Sequence, residues 1–166
     1  NIIDGKYDVG FVALPEGYEI NPKLDGKLIA KDHWILISTP NNPWFEGNRT
    51  VQEVIQDAPL IGSLSKTAHG RIIEKELERL GLGNKSFHLR LDDVESIKTA
   101  VLSKLGIAFV PFRSVQRELK YGELIEFSNY DQPVLYYYLI TRKDQLFTPT
   151  LSHFINHILQ RCSSLI

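Results

Sequence analysis

Five consecutive positions, Ser63-Leu64-Ser65-Lys66-Thr67, gather three hydroxyls and one cation into a single short segment. Two chemistries use such a set. The S-x-S-K spacing suits a serine nucleophile whose proton is taken by a lysine amine. The same groups at the start of a helix suit an anionic oxygen, because first-turn N–H groups lack partners and the helix dipole favours negative charge there. A serine-rich loop entering a helix is more often simply a cap. Nothing else in the chain points to catalysis. It has no glycine-rich phosphate loop, no G-x-S-x-G elbow and no H-E-x-x-H. The expectation is therefore a binding loop, no enzyme and no cofactor. His153 and His157 stand four apart and could touch one metal, but no third ligand lies near them, and His69 and His88 are scattered.

The loop must be positioned by its neighbours. Leu60 and Ile61 read as a buried strand, and Ser65 as the cap of a helix reaching Leu80 with Ile72, Ile73, Leu77 and Leu80 inward. Gly81-Leu82-Gly83 stops it. Ser86 to Leu91 alternates polar and apolar residues, as a half-exposed strand does. Asp92 with Glu95 reads as a capping box ahead of a helix carrying Val94, Ile97, Ala100 and Val101. Gly106 is expected to supply the left-handed stop, and Ile107 to Val110 a buried strand ending at Pro111. Elsewhere, Tyr7 to Ala13 and Trp34 to Ser38 read as strands, with Leu28 to Ala30 a short connector. Thr50 with Glu53 opens a short helix, Arg113 to Tyr121 forms another, and Thr148 caps a last one with Pro149 at its first position. Strands alternate with helices, which predicts an α/β fold with largely parallel sheets. In such sheets ligands collect outside the carboxyl ends of strands. That rule nominates three ligand-binding loops: Leu14-Pro15-Glu16, Ser63-Leu64-Ser65-Lys66-Thr67, and Pro111-Phe112 with the residues after it.

The stretch D-D-V-E-S-I-K-T-A-V-L-S-K-L-G-I-A-F-V-P, from Asp92 to Pro111, resembles the effector-binding domain of LysR-type transcriptional regulators, whose pattern runs roughly E-x-I-x-x-x-V-x-x-G-x-G-I-A-x-L-P. One departure is that Ser103-Lys104-Leu105 replaces the first family glycine. Weaker matches stand in the right order around it: Gly5 to Val12, Trp34 to Thr39, Asn42 to Phe45, Gly122 to Ile125, Leu135 to Lys143 and Thr150 to Leu159. The resemblance implies a type 2 periplasmic-binding-protein-like fold of two Rossmann-like lobes. Lobe I would hold residues 1–30 and 132–166, and lobe II residues 31–131. It implies that the chain begins inside a family motif, lacking the N-terminal part of lobe I and a winged helix-turn-helix. It also implies a small-molecule effector between the lobes, which the loop chemistry suggests is a carboxylate or other oxyanion. Side-by-side pairing into a homodimer or homotetramer follows for the family, with Ser86 to Leu91 and the helix ending at Leu80 as candidate contacts. The V-E-S-I-K-T-A-V wording is most similar to regulators of carbon or nitrogen assimilation in cyanobacteria and plastids. The alternative on this fold is the solute-binding component of a transporter.

Composition bounds these readings. In 166 residues, 43% are hydrophobic, enough for a real core. Nineteen basic and twenty acidic residues leave a net charge of -1, which is no footprint for nucleic acid, so DNA contact is expected only through the missing N-terminal domain. Cys162 stands alone, which excludes an internal disulfide and suits a cytoplasmic setting. No run approaches the ~18 apolar residues of a membrane span.

Overall fold

The computed structural model describes residues 2–162 and 165. Their contacts divide into two compact units, one of residues 1–32 with 134–166 and one of residues 33–133.

In the first unit, β1 (Gly10–Pro15) pairs antiparallel with β7 (Val134–Arg142). β7 in turn neighbours β2 (Leu24–Ser38). The small core is Ile29, Leu139 and Ile155, with Leu151, Ile158, Leu159 and Cys162 of α5 (Pro149–Cys162) laid against it. Cys162 thus fills a helix face. As expected, Thr148 caps α5, its hydroxyl accepting from the Leu151 N–H at 3.3 Å. β2 is longer than the sequence suggested, because Leu28 to Ala30 continues the strand and is no separate connector. Its residues up to Asp32 belong to the first unit, and the rest to the second.

The second unit is built on the end of β2, where Ile35, Leu36 and Ile37 are fully buried. β5 (Ile107–Pro111) and β6 (Ile125–Phe127) both pair with it antiparallel. β3 (Leu60–Ser63) runs parallel to β5 on one side and to β4 (Leu89–Leu91) on the other. The sheets are therefore mixed, and the expectation of largely parallel pairing holds only for β3, β4 and β5. Ser86 to His88 lies outside β4. There the Phe87 ring covers Gly62, where a Cβ would stand 2.2 Å from it, and carries the Arg90 guanidinium 4.1 Å above it.

Four helices complete this unit. α1 (Val51–Asp57) opens with the expected Thr50–Glu53 capping box. α2 (Ala68–Arg79) follows β3, and Gly81 lies in the left-handed region just past its end. α3 (Val94–Leu102) puts Ile97, Ala100 and Val101 into the core with Val115 and Leu124. A 3-10 turn, Phe112–Ser114, and the short α4 (Gln116–Lys120) replace the single helix expected from Arg113 to Tyr121. Three caps also differ. Asp93, and not Asp92, caps α3 by accepting from the Ser96 N–H at 2.9 Å. Thr67, and not Ser65, caps α2. The left-handed residue after α3 is Lys104 (φ 60), not Gly106. The Lys104 N–H donates to the Val101 carbonyl and the Leu105 N–H to that of Ala100, at 2.8 and 3.1 Å, which is a Schellman ending with lysine in the usual glycine place. Gly106 serves another need: a Cβ there would lie 2.1 Å from the Pro59 carbonyl oxygen.

These two positions should respond oppositely to substitution. Lys104→Gly relieves a left-handed side chain and should raise unfolding free energy by about 1 kcal/mol. Gly106→Ala overpacks the approach to Pro59 and should lower it by roughly 1–3 kcal/mol. Urea denaturation of both variants measures this. A destabilised Lys104→Gly protein would contradict the assigned ending.

Candidate functional site

Ser63 is the last residue of a strand whose four positions are all buried, so its hydroxyl must be satisfied inside. It lies 3.0 Å from the Thr67 hydroxyl and donates to the Leu91 carbonyl at 3.2 Å. The Thr67 hydroxyl donates to the Leu64 carbonyl at 2.7 Å and accepts from the Gly70 N–H at 2.9 Å. Ser63 and Thr67 therefore tie the loop to the strand end and the helix start. Leu64 is half-buried, and its carbonyl would stand 2.2 Å from a Cβ at position 70, so α2 packs directly on the loop.

Ser65 and Lys66 are exposed. The Ser65 hydroxyl donates to the Glu74 carboxylate at 2.6 Å, and Arg90 reaches the same oxygen at 3.0 Å. The Ser65 bond leads in holding the Glu74 carboxyl below its ordinary range; burial opposes it, and Arg90 adds to the lowering. Arg90 also donates to the Ser63 carbonyl at 2.8 Å. The Lys66 carbonyl accepts from Arg71 at 2.9 Å, while its ammonium has no hydrogen bond or ion pair among the described residues. The first helical amides, Ala68 and His69, also lack an internal partner among them, as the opening of a helix dictates. One cation and two donors at a helix start can take an oxyanion. Serine–lysine chemistry finds no support, because neither serine hydroxyl is bonded to the lysine amine.

His69 was not singled out by its spacing. It packs edge-on to Trp34 with ring centroids 4.3 Å apart, and its Nε2 stands 3.4 Å from the Phe109 carbonyl oxygen. Burial is the main cause that lowers its pKa to about 4, the contact with Phe109 opposing it. Glu74 and Arg90, which frame the loop, come from other elements and carry no local motif.

Pro111 and Phe112 leave β5 at the same strand end as Ser63 leaves the parallel β3. Phe112 stacks on His33 with centroids 4.7 Å apart, and the Ser114 hydroxyl donates to the Pro111 carbonyl at 2.6 Å. Leu14 and Pro15 lie inside β1, opposite Tyr136 and Leu135. Glu16 is exposed in a turn closed by the Tyr18 N–H on the Pro15 carbonyl at 3.3 Å. That turn leads to β2, so this loop meets no helix N-terminus, contrary to expectation. His153 and His157 are exposed, and among the described residues no cluster of three metal-ligating side chains occurs.

The mixed α/β fold is of the type 2 periplasmic-binding-protein-like class, the fold of the LysR regulatory domains it matches. Within it the chain is a member of the LysR substrate binding domain family, whose model matches residues 1–163. The transporter alternative has no support. A curated relative, the "Probable RuBisCO transcriptional regulator" of Cyanophora paradoxa, is 29% identical over 126 residues, which are 75% of this chain and 39% of that protein. The chain thus spans well under half of that relative's length. The regulatory domain of HypT from Salmonella typhimurium has the same fold, with a TM-score of 0.78 at 19% identity over 99% of this chain and 77% of that one. The effector binding domain of QuiR in complex with shikimate matches with a TM-score of 0.76 at 14% identity, covering 98% and 75%.

The buried imidazole generates a pH prediction. A folded pKa near 4 against an ordinary 6.5 means that, as pH falls below 6.5, the unfolded chain takes up a proton the folded one refuses. Stability from this group is full above pH 6.5 and falls by up to about 3 kcal/mol as pH drops to 4. His69→Gln should flatten that part of the urea-denaturation pH profile. An unchanged slope would place the imidazole in water.

Proposed function

We propose that this domain senses a small anionic metabolite, a carboxylate or other oxyanion, and that loop Ser63–Thr67 contacts it. The observation carrying this reading is a Lys66 ammonium without a partner among the described residues, close in sequence to the Ala68 and His69 amides, which also lack one among them. Pro111 and Phe112, at the neighbouring strand end, are proposed as further contacts. The shikimate held by the effector binding domain of QuiR is itself a carboxylate, which is in keeping with this chemistry. Binding would favour one conformational state over another. A winged helix-turn-helix outside this sequence would carry that preference to DNA in a cytoplasmic homodimer or homotetramer. The relative in Cyanophora paradoxa supports carbon assimilation as the process regulated. Among the described residues, no helix is long and apolar enough to cross a membrane.

The loop is tested by thermal shift with a panel of metabolite carboxylates. A true effector at ~100 times its dissociation constant should stabilise the chain by about 2.7 kcal/mol. Ser65→Ala combined with Lys66→Ala should diminish that response, and an undiminished shift would remove the loop from the site.

Nucleic acid gives a second test. Arg71, Lys75 and Arg79 alternate with Glu74, Glu76 and Glu78, so local fields largely cancel within a net charge of -1. This chain alone should give no sequence-dependent mobility shift on a promoter that a longer protein containing the helix-turn-helix retards. Specific retardation by the chain itself would reassign DNA contact to these residues.

A further inference from the structure

The first unit holds a second concentration of positive charge that the proposed effector loop does not use. Lys23, Arg142, Lys143, Asp144 and Ile3 line an open pocket of about 420 Å³ where β2 begins and β7 ends. Its size falls in the range of small-molecule sites. Of the residues lining it, three are cations and one is a carboxylate. Asp144 stands 3.5 Å from the Arg142 Nε and is 86% exposed, so water screens much of its compensation.

The arrangement is built rather than incidental. The Lys143 N–H donates to the Lys23 carbonyl at 3.1 Å, which holds the two lysines side by side across neighbouring strands. The chain from Ile2 to Gly5 turns over the guanidinium, closed by the Gly5 N–H on the Ile2 carbonyl at 3.1 Å. Gly5 has φ 72, and a Cβ there would stand 2.4 Å from an Arg142 guanidinium nitrogen. The left-handed backbone favours glycine there, and the turn packs against the Arg142 guanidinium from one side. With two exposed lysines lining the same pocket, this planar guanidinium completes a set of three positive charges, which suits a doubly charged tetrahedral oxyanion.

We propose that this pocket is a second ligand site, selective for a phosphate- or sulfate-type oxyanion carried by a small molecule, with Ile3 offering an apolar wall to its carbon body. Arg142 would provide paired donors, and Lys23 and Lys143 the remaining charge. The site lies wholly within residues 1–32 and 134–166, so its occupancy is separable from that of the loop at Ser63–Thr67.

Inorganic phosphate is the probe, titrated into the chain by calorimetry at constant ionic strength with chloride as the balancing anion. Arg142→Gln should weaken binding roughly tenfold or more, the scale of one charge-assisted contact. Lys23→Gln with Lys143→Gln, both exposed positions, should weaken it to a similar degree and serves should the arginine variant unfold. Undiminished affinity in the lysine double variant would overturn the proposal. So would a parent response no larger than that to chloride.

Discussion

The approach of Gly106 to the carbonyl of Pro59 sets the frame of the larger unit. With no side chain at 106, the Ile107 N–H reaches the Pro59 carbonyl at 2.9 Å, and β5 starts in register beside β3. Parallel strands have no hairpin to fix their offset, so register must come from contacts of this kind. Once Leu60 stands opposite Ile107, Ile61 of β3 and Ala108 and Val110 of β5 enter one core with α3. Ser63 and Pro111 then leave the sheet at the same end. A shift by one residue would turn Ile61 and Ala108 outward and move the serine hydroxyl off the Leu91 carbonyl.

That placement decides which groups remain for a ligand. Three hydroxyls in five residues suggest abundant donors, but hydrogen bonding within the protein occupies them all. Ser63 and Thr67 satisfy the buried strand end and the helix start, and Ser65 is bound to Glu74. An arriving anion would meet the Lys66 ammonium and the Ala68 and His69 amides first. It could recruit Ser65 only by drawing it from a carboxylate that Arg90 would still hold. The loop is thereby held to the strand end and the helix start, an arrangement that would limit the ordering cost of binding.

Local signals were legible where they were unambiguous. Thr50 and Glu53 form a reciprocal pair three apart, and no neighbour competes for the cap. Where two candidates adjoin, the sequence could not choose: Asp92 and Asp93 are chemically alike, and Ser65 and Thr67 both carry hydroxyls. Thr67 prevails because Ser63 and the Leu64 carbonyl orient it, an arrangement made by folding. The first half of β2 was hidden because Gly26 and polar residues interrupt it, and Ile20 covers the glycine: a Cβ there would stand 2.1 Å from it. Strand direction lay further out of reach, since β2 becomes antiparallel to β5 and β6 through pairing partners remote in sequence. The roles of Arg90 and Glu74 at the site failed to show for the same reason.

The two ends of α2 do different work, and the difference limits where a ligand can act. At the C-terminal end Glu76 is buried and accepts from the Nε and Nη2 groups of Arg79, at 2.9 and 2.7 Å. The hydrogen bonds to Glu76 lead in raising the Arg79 pKa, with burial opposing them. Arg79 also donates to the Asp131 carbonyl at 2.8 Å, and nearby the Tyr130 hydroxyl donates to that of Trp34 at 3.0 Å. Burial first, then the charges of Glu76 and Glu126, push the Tyr130 phenol upward, so it remains a neutral donor. These groups fasten the segment before β7 to the helix and to β2, and their charges are spent on one another. At the N-terminal end the cap is a neutral hydroxyl, and no acidic residue stands in the first turn. The macrodipole is therefore uncompensated by the helix's own side chains at the end beside Lys66, where an anion gains most.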